Sequence, residues 1–299
     1  MEKKVSVIIP FYSGVDWLSE AVQSVLDQTY DNFEIIVVND GSGEDVTSFL
    51  NQYGDKIIYR YKENGGAATA RNLAMRIATG DYLAFLDSDD IWLPTKTEKQ
   101  IAFMEEIGAL WSHTGFYYWT PETDKLKRID NSCDYGSIYE KTFISIKIAT
   151  PSVVIHQKVI QEYPEIDFPV ELRKGQDTAF FRSLSNYYKI ALIEEPLVKV
   201  RMRGSNSNTL AIVRFNLRAD SYPAIKSDPT VPKDVKRIRY IYYVYGKIFG
   251  KTSNKFKEFI AKCFWTLPYT MERLYVRRFV RKNKQDELFI KRDPNIVKV

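Results

Sequence analysis

The chain has 299 residues, 44% hydrophobic and 27% charged, proportions that exclude a wholly disordered protein. Its formal charge of +5 is unevenly spread: residues 233–299 hold 18 Lys and Arg against 6 Asp and Glu, a net of +12, and the other 232 residues hold 25 against 32, a net of −7. A mildly acidic body with a basic tail is not the pattern of a protein basic throughout for nucleic acid, and two cysteines (Cys133, Cys263) with two histidines build neither a disulfide framework nor a zinc set. The longest apolar runs, such as Val5–Tyr12, fall far short of the roughly 18 residues that span a bilayer. Met1-Glu2-Lys3-Lys4 leads into a strand-like segment with no secretory h-region, so a cytoplasmic, reduced protein is expected.

In chain order, Val5–Ile9 reads as a buried strand ending at Pro10, and Leu18, Ala21, Val22, Val25 and Leu26 follow helical spacing over 16–27, with Asp16 placed to cap. Glu34–Val38 is a second buried strand, stopped by Asn39-Asp40-Gly41-Ser42-Gly43. A helix near 45–53, a strand at 56–61, a helix opened by Gly65-Gly66 and closed by Gly80, and a strand at 82–86 follow. Beyond Leu93-Pro94 the pattern gives a helix at 96–107 and an aromatic-rich strand at 109–119. Further on come a strand at 152–156, a helix at 177–185, separate strands at 189–192 and 197–201, and helices at 240–249, 256–265 and 269–280. Pro223, Pro229 and Pro232 mark a boundary, dividing the chain into 1–220 (halves 1–110 and 111–220) and a helical extension, 221–299.

Alternating strands and helices imply right-handed βαβ units, a mainly parallel sheet, and a ligand crevice at the carboxyl ends of the strands. Pro10, Phe11, Tyr12, Asp40 and Asp87–Asp90 should therefore converge. Asp87-Ser88-Asp89-Asp90 sets three carboxylates within four residues, which suits Mg²⁺ or Mn²⁺ shared with substrate phosphates, or else a solvated acidic turn. Asp40 suits a base edge or ribose hydroxyl, or an Asx-turn. Arg71 suits a diphosphate, the strand-end carboxylates or an ordinary surface pair. Tyr12 suits a stacked base or a loop aromatic.

Val5-Ser6-Val7-Ile8-Ile9-Pro10, Val38-Asn39-Asp40-Gly41-Ser42, Ala70-Arg71-Asn72 and Leu86-Asp87-Ser88-Asp89-Asp90, in that order, resemble a family 2 glycosyltransferase. The likeness continues through Thr150–Ile155 and Gly175–Phe181 and ends near Ser207. It implies the α/β GT-A fold, a central sheet flanked by helices with a C-terminal helical extension, and an inverting hexosyl- or N-acetylhexosaminyl-transferase using Mn²⁺ or Mg²⁺. The donor would be a nucleotide-sugar, UDP-linked by preference, and the acceptor a hydroxyl of a growing glycan or lipid-linked saccharide. By the same resemblance Asp40 reads the base beside the wall of Pro10, Phe11 and Tyr12. Arg71 braces the nucleotide, Asp87 and Ser88 lie along it, Asp87 and Asp89 serve the metal, and Asp177 is the general base. Gln176 stands where relatives carry Glu, and Arg203 where many carry His; an arginine there would contact the leaving diphosphate. Two other readings are a non-catalytic nucleotide-sugar-binding protein and an Asp-based phosphatase. The second wants Thr or Val where Ile91 stands.

In the tail, Tyr240, Tyr242, Tyr243, Tyr245 and Phe249 interleave with Lys236, Arg237, Arg239 and Lys247. Such helices lie at the inner face of the plasma membrane as a peripheral contact, pack on the catalytic body, or join copies into a homo-oligomer. No nucleic-acid-binding module accompanies them.

Overall fold

The computed structural model describes residues 2–172, 175–203, 222–229, 231–249, 270–271, 274–275 and 283–295. Their contacts divide into two units, Met1–Ile138 with Lys147–Arg201 and Asp286–Val299, and Tyr139–Ile146 with Met202–Gln285. This division differs from the boundary expected near 221: it falls after Arg201, and residues 286–299 return to the first unit because a short strand there pairs with the sheet.

Every residue of β1 (Val5–Phe11) is buried, as a central strand covered on both faces requires. The chain continues through α1 (Val15–Leu26), β2 (Phe33–Asp40), α2 (Thr47–Tyr53), β3 (Ile58–Lys62), α3 (Ala67–Ile77), β4 (Tyr82–Phe85), β5 (Ile91–Trp92) and α4 (Lys96–Ile107). Next come β6 (Trp111–Thr120), β7 (Lys125–Arg128), α5 (Tyr139–Thr142), β8 (Val154–His156), α6 (Gln157–Glu162), α7 (Gln176–Tyr187) and β9 (Ala191–Arg201). Two helices of the second unit, α8 (Tyr222–Ser227) and α9 (Lys233–Phe249), precede β10 (Ile290–Lys291).

Among the described residues the sheet runs β10-β9-β6-β8-β4-β1-β2-β3, with β5 on β9 and β7 on β6. Pairing is parallel from β4 through β1 and β2 to β3, and again across β6, β9 and β10; β8 runs antiparallel between the two halves. The expected α/β architecture with a mainly parallel sheet is therefore observed. Leu18, Ala21, Val22 and Val25 of α1 join Val5, Val7, Ile9, Val37 and Leu86 in one apolar core.

Two local features differ from expectation. Asp16 does not cap α1; Gly14 occupies the cap, and the Glu44 carboxylate accepts from the Gly14 and Val15 N–H groups at 2.7 and 2.9 Å. The strands expected at 189–192 and 197–201 are one, β9, because Pro196 sits at a register shift opposite Gly115 instead of ending the strand. A Cβ on Gly115 would lie 2.4 Å from the Glu194 carbonyl oxygen, so the close approach of β6 to β9 requires glycine. The helices expected at 256–265 and 269–280 lie almost wholly outside the described residues. No helix among those described is long and apolar enough to cross a membrane.

In the second unit, Val235, Ile238 and Tyr242 of α9 pack against Phe143, Ile144, Ile225 and Val231. Arg239 donates through Nε to the Phe143 carbonyl at 2.7 Å. The tail aromatics thus split between a buried Tyr242 and an exposed Tyr240.

Candidate functional site

Asp40 ends β2 and is 3% exposed. Its Oδ1 accepts from Lys62 Nζ at 2.5 Å and from the Gly65 N–H at 3.0 Å, and its Oδ2 from the Gly66 N–H at 2.7 Å. A carboxylate offers about four acceptor positions. Three are occupied by the end of β3 and the entry to α3, leaving roughly one for a ligand. Gly66, with φ 90°, opens α3 in a backbone conformation that other side chains rarely adopt.

Along α3, the guanidinium of Arg71 reaches the carboxylate of Asp87, just beyond β4, through Nη2. The same guanidinium lies 5.1 Å from the ring centroid of Phe168. Its neighbour Asn72 fixes Phe168 by a reciprocal pair: Asn72 Nδ2 donates to the Phe168 carbonyl at 2.8 Å, and Asn72 Oδ1 accepts from its N–H at 2.9 Å. Phe168 stacks on Phe180 with centroids 4.0 Å apart, and Phe85, the last residue of β4, meets both rings edge-on at 5.3 and 5.8 Å. Phe180 lies one turn into α7 from Asp177. Packing thus leads from Asp40 through α3 to Asp87 on one side and through Phe168 to the first turn of α7 on the other. Asp177 is half-buried there, its Oδ1 accepting the Thr178 N–H at 2.8 Å, while Gln176 turns back to the Leu172 carbonyl.

In the acidic turn, Asp87 and Asp89 are half-buried and Ser88 and Asp90 buried. Burial, reinforced by the charges of Asp89 and Asp87, raises the carboxyl of Asp90 well above its ordinary range, against the opposing pull of Arg201. Asp90 Oδ1 accepts the Arg201 N–H at 2.8 Å. Among the described residues no group of three His, Cys, Asp or Glu is placed to hold a metal ion. The chemistry of the pair Asp87 and Asp89 fits Mg²⁺ or Mn²⁺ that completes its shell with phosphate oxygens and water, and does not fit an all-protein cage.

Of the expected wall, Pro10 and Phe11 pair in β1 with Val38 and Asn39, and both are buried. The Phe11 side chain belongs to the core, so the exposed side chain of the three is Tyr12, at 55%. Arg203 belongs to the second unit. Sequence reasoning missed Lys62, Phe168 and Arg201. A cation at the end of β3 hints at the first; the other two gain their meaning from partners distant in sequence.

Residues 6–163 match the family model described as glycosyl transferase family 2. A glycosyltransferase of Rickettsia bellii, named as uncharacterized, is 38% identical over 208 residues, covering 69% of this chain and 30% of that one. The chain spans about a third of the length of the Rickettsia relatives it matches. A Bacillus subtilis protein named as a putative teichuronic acid biosynthesis glycosyltransferase, TuaG, is 37% identical over 246 residues, covering 79% of this chain and 90% of TuaG. Escherichia coli WfaP, named as a UDP-Glc:alpha-D-GlcNAc-diphosphoundecaprenol beta-1,3-glucosyltransferase, is 45% identical over 115 residues, 38% of this chain and 46% of WfaP. Among solved structures, S. aureus TarS residues 1–349 in complex with UDP-GlcNAc superposes with TM-score 0.59 at 18% identity, covering 84% of this chain and 74% of that one. The Pyrobaculum calidifontis mannosyltransferase PcManGT, with GDP-Man and Mn²⁺, gives 0.55 at 14%, covering 95% and 88%. These two likenesses speak to the fold.

Proposed function

Since the chain belongs to glycosyl transferase family 2, we propose that it moves a hexosyl or N-acetylhexosaminyl group from a UDP-sugar to a hydroxyl of a growing glycan or lipid-linked saccharide, with inversion at the anomeric carbon. The observation that carries this reading is the packed connection from Arg71 to both Asp87 and Phe168, which sets a carboxylate pair and the first turn of α7 around one helix.

A divalent cation between Asp87, Asp89 and the donor would neutralise the diphosphate as it leaves. Tyr12 offers an exposed face for the base, and Asp40 retains one acceptor position beside it. Arg71 holds Asp87 in one orientation. Asp177 takes the proton of the acceptor hydroxyl as its oxygen bonds to the anomeric carbon. The bond from that carbon to the diphosphate oxygen breaks at the same time, with its electron pair leaving on the nucleotide.

The lipid-linked acceptor draws support from the printed name of WfaP. It also draws support from α9, where Lys233, Arg237, Tyr240 and Lys247 are exposed at helical spacing, a cationic face suited to anionic headgroups. A thermal-shift screen of UDP-, GDP- and dTDP-sugars with and without Mn²⁺ tests the donor. Metal-dependent stabilisation by a UDP-sugar is expected. Stabilisation by none of them would overturn the reading, and donor binding without transfer to any saccharide acceptor would favour a binding protein.

A further inference from the structure

Arg201, the last residue of β9, has no side-chain part in the reaction described above, yet its side chain is only 6% exposed and its contacts reach the acidic turn. Its N–H donates to Asp90 Oδ1 at 2.8 Å, and its Nε donates to the main-chain oxygen of Asp89 at 2.8 Å. Nη2 reaches across to Glu20 on α1. The guanidinium carbon lies 4.5 Å from the Trp119 ring centroid and 5.4 Å from that of Trp17. The chain leaving Asp90 enters β5, which pairs with β9 at Ile91–Lys199 and Trp92–Val198, two and three residues before Arg201. One residue therefore grips two consecutive residues of the turn, and is itself clamped by α1 and β6.

We propose that Arg201 is a positioning residue for the cation: by fixing the Asp89 carbonyl and the Asp90 side chain, it leaves the Asp89 carboxylate one approach to the metal. A guanidinium suits this task because its planar fork holds several acceptors at fixed angles while lying flat on an aromatic face; a lysine offers a single flexible point. The inference rests on the nucleotide-sugar reading above and concerns how the metal, not the base, is held.

The test is calorimetric titration of UDP at increasing Mn²⁺ with the full chain and with Arg201→Lys and Glu20→Gln. Glu20 is half exposed on the surface of α1, so its variant keeps the measurement available if Arg201→Lys does not fold. The Mn²⁺ concentration for half-maximal strengthening of UDP binding should rise about tenfold in Arg201→Lys and about threefold in Glu20→Gln, in line with loss of charge-assisted hydrogen bonds. Metal-free UDP affinity should stay within about twofold of wild type, because Arg71 and Asp40 are untouched. Folded variants that melt earlier but keep the wild-type Mn²⁺ midpoint would overturn the proposal and leave Arg201 a purely structural residue. Wild-type protein that binds UDP with no response to Mn²⁺ would also overturn it while sparing the donor reading. Wild-type protein that binds no UDP under either condition would overturn the donor reading itself.

Discussion

The guanidinium of Arg71 donates to Asp87 and lies on the ring of Phe168, so one buried side chain ties the acidic turn to the segment that supports α7. Arg71→Lys retains a charge but cannot span both partners. The expected result is a loss of kcat/KM of at least about tenfold, with the melting temperature lowered by only a few degrees. Steady-state kinetics against donor concentration check it, and unchanged kinetics would remove Arg71 from the site.

Asp177→Asn preserves size and the hydrogen bond from the Thr178 N–H while removing the proposed proton acceptor. Transfer should fall by about 10²–10⁴-fold, with donor affinity held within a factor of two. Product formation at the wild-type rate would refute the assignment.

Asp40 offers a third test, because its carboxylate serves three donors of the β3–α3 connection. In Asp40→Asn, an amide group must face either Lys62 or the Gly66 N–H, setting donor against donor. A cost of about 1–3 kcal/mol is expected, read as a lower urea midpoint, together with weaker nucleotide binding. An unchanged midpoint would show that the three contacts are not maintained in solution.

Acid stability should report Glu34. Burial disfavours its charge, but hydrogen bonds from Lys4, Ser6 and Thr79 prevail and bring its pKa down from 4.5 to about 2. A carboxylate depressed in the folded state stabilises fully above its unfolded pKa, and that contribution disappears as pH falls through the folded one. Stability should therefore drop between about pH 4.5 and 2 by an amount of order 2 kcal/mol, and Glu34→Gln should flatten the curve there. Unfolding midpoints measured across that window decide the matter.

Lys96, the first residue of α4, is fully buried, and its amine, 3.8 Å over the Trp92 ring, has no hydrogen-bond partner among the described residues. Burial lowers its pKa well below that of an exposed lysine. Lys96→Met keeps the length and removes the desolvated amine, so the variant should be more stable by about 1 kcal/mol. A lower melting temperature would mean that the contact with Trp92 outweighs the desolvation.

Much of this architecture is readable in the residues themselves. Strands β1, β2 and β4 declare themselves because they are buried on both faces over most of their length and carry short apolar runs such as Val7–Ile9, Ile35–Val38 and Leu83–Phe85. The strand-end rule then puts Asp40 and Asp87 at the same edge of the sheet without any knowledge of their partners. What stays hidden depends on distance along the chain. Glu44 caps α1 from thirty residues away, where a local reading sees only Asp16. Pro196 looks like a break, and only the opposing glycine, some eighty residues earlier, lets the strand continue. Lys291 and Ile290 form too short and too mixed a segment to announce a strand, and the importance of Arg201 resides in Glu20, Trp17, Asp89 and Trp119.

The return of β10 to β9 makes the first unit discontinuous in sequence. Glu194, 6% exposed, receives Arg292 Nη1 at 3.0 Å and the Asp293 N–H at 3.2 Å, and Asp293 in turn accepts Arg128 at 2.9 Å. Cutting the gene at a proline near 232 would remove Arg292 and Asp293 and leave Arg128 without its Asp293 acceptor, stranding the Glu194 anion inside the fold and baring a strand edge to intermolecular pairing. A shortened version for crystallography would need the terminal segment grafted back, by circular permutation or a bridging linker after β9, instead of a stop codon.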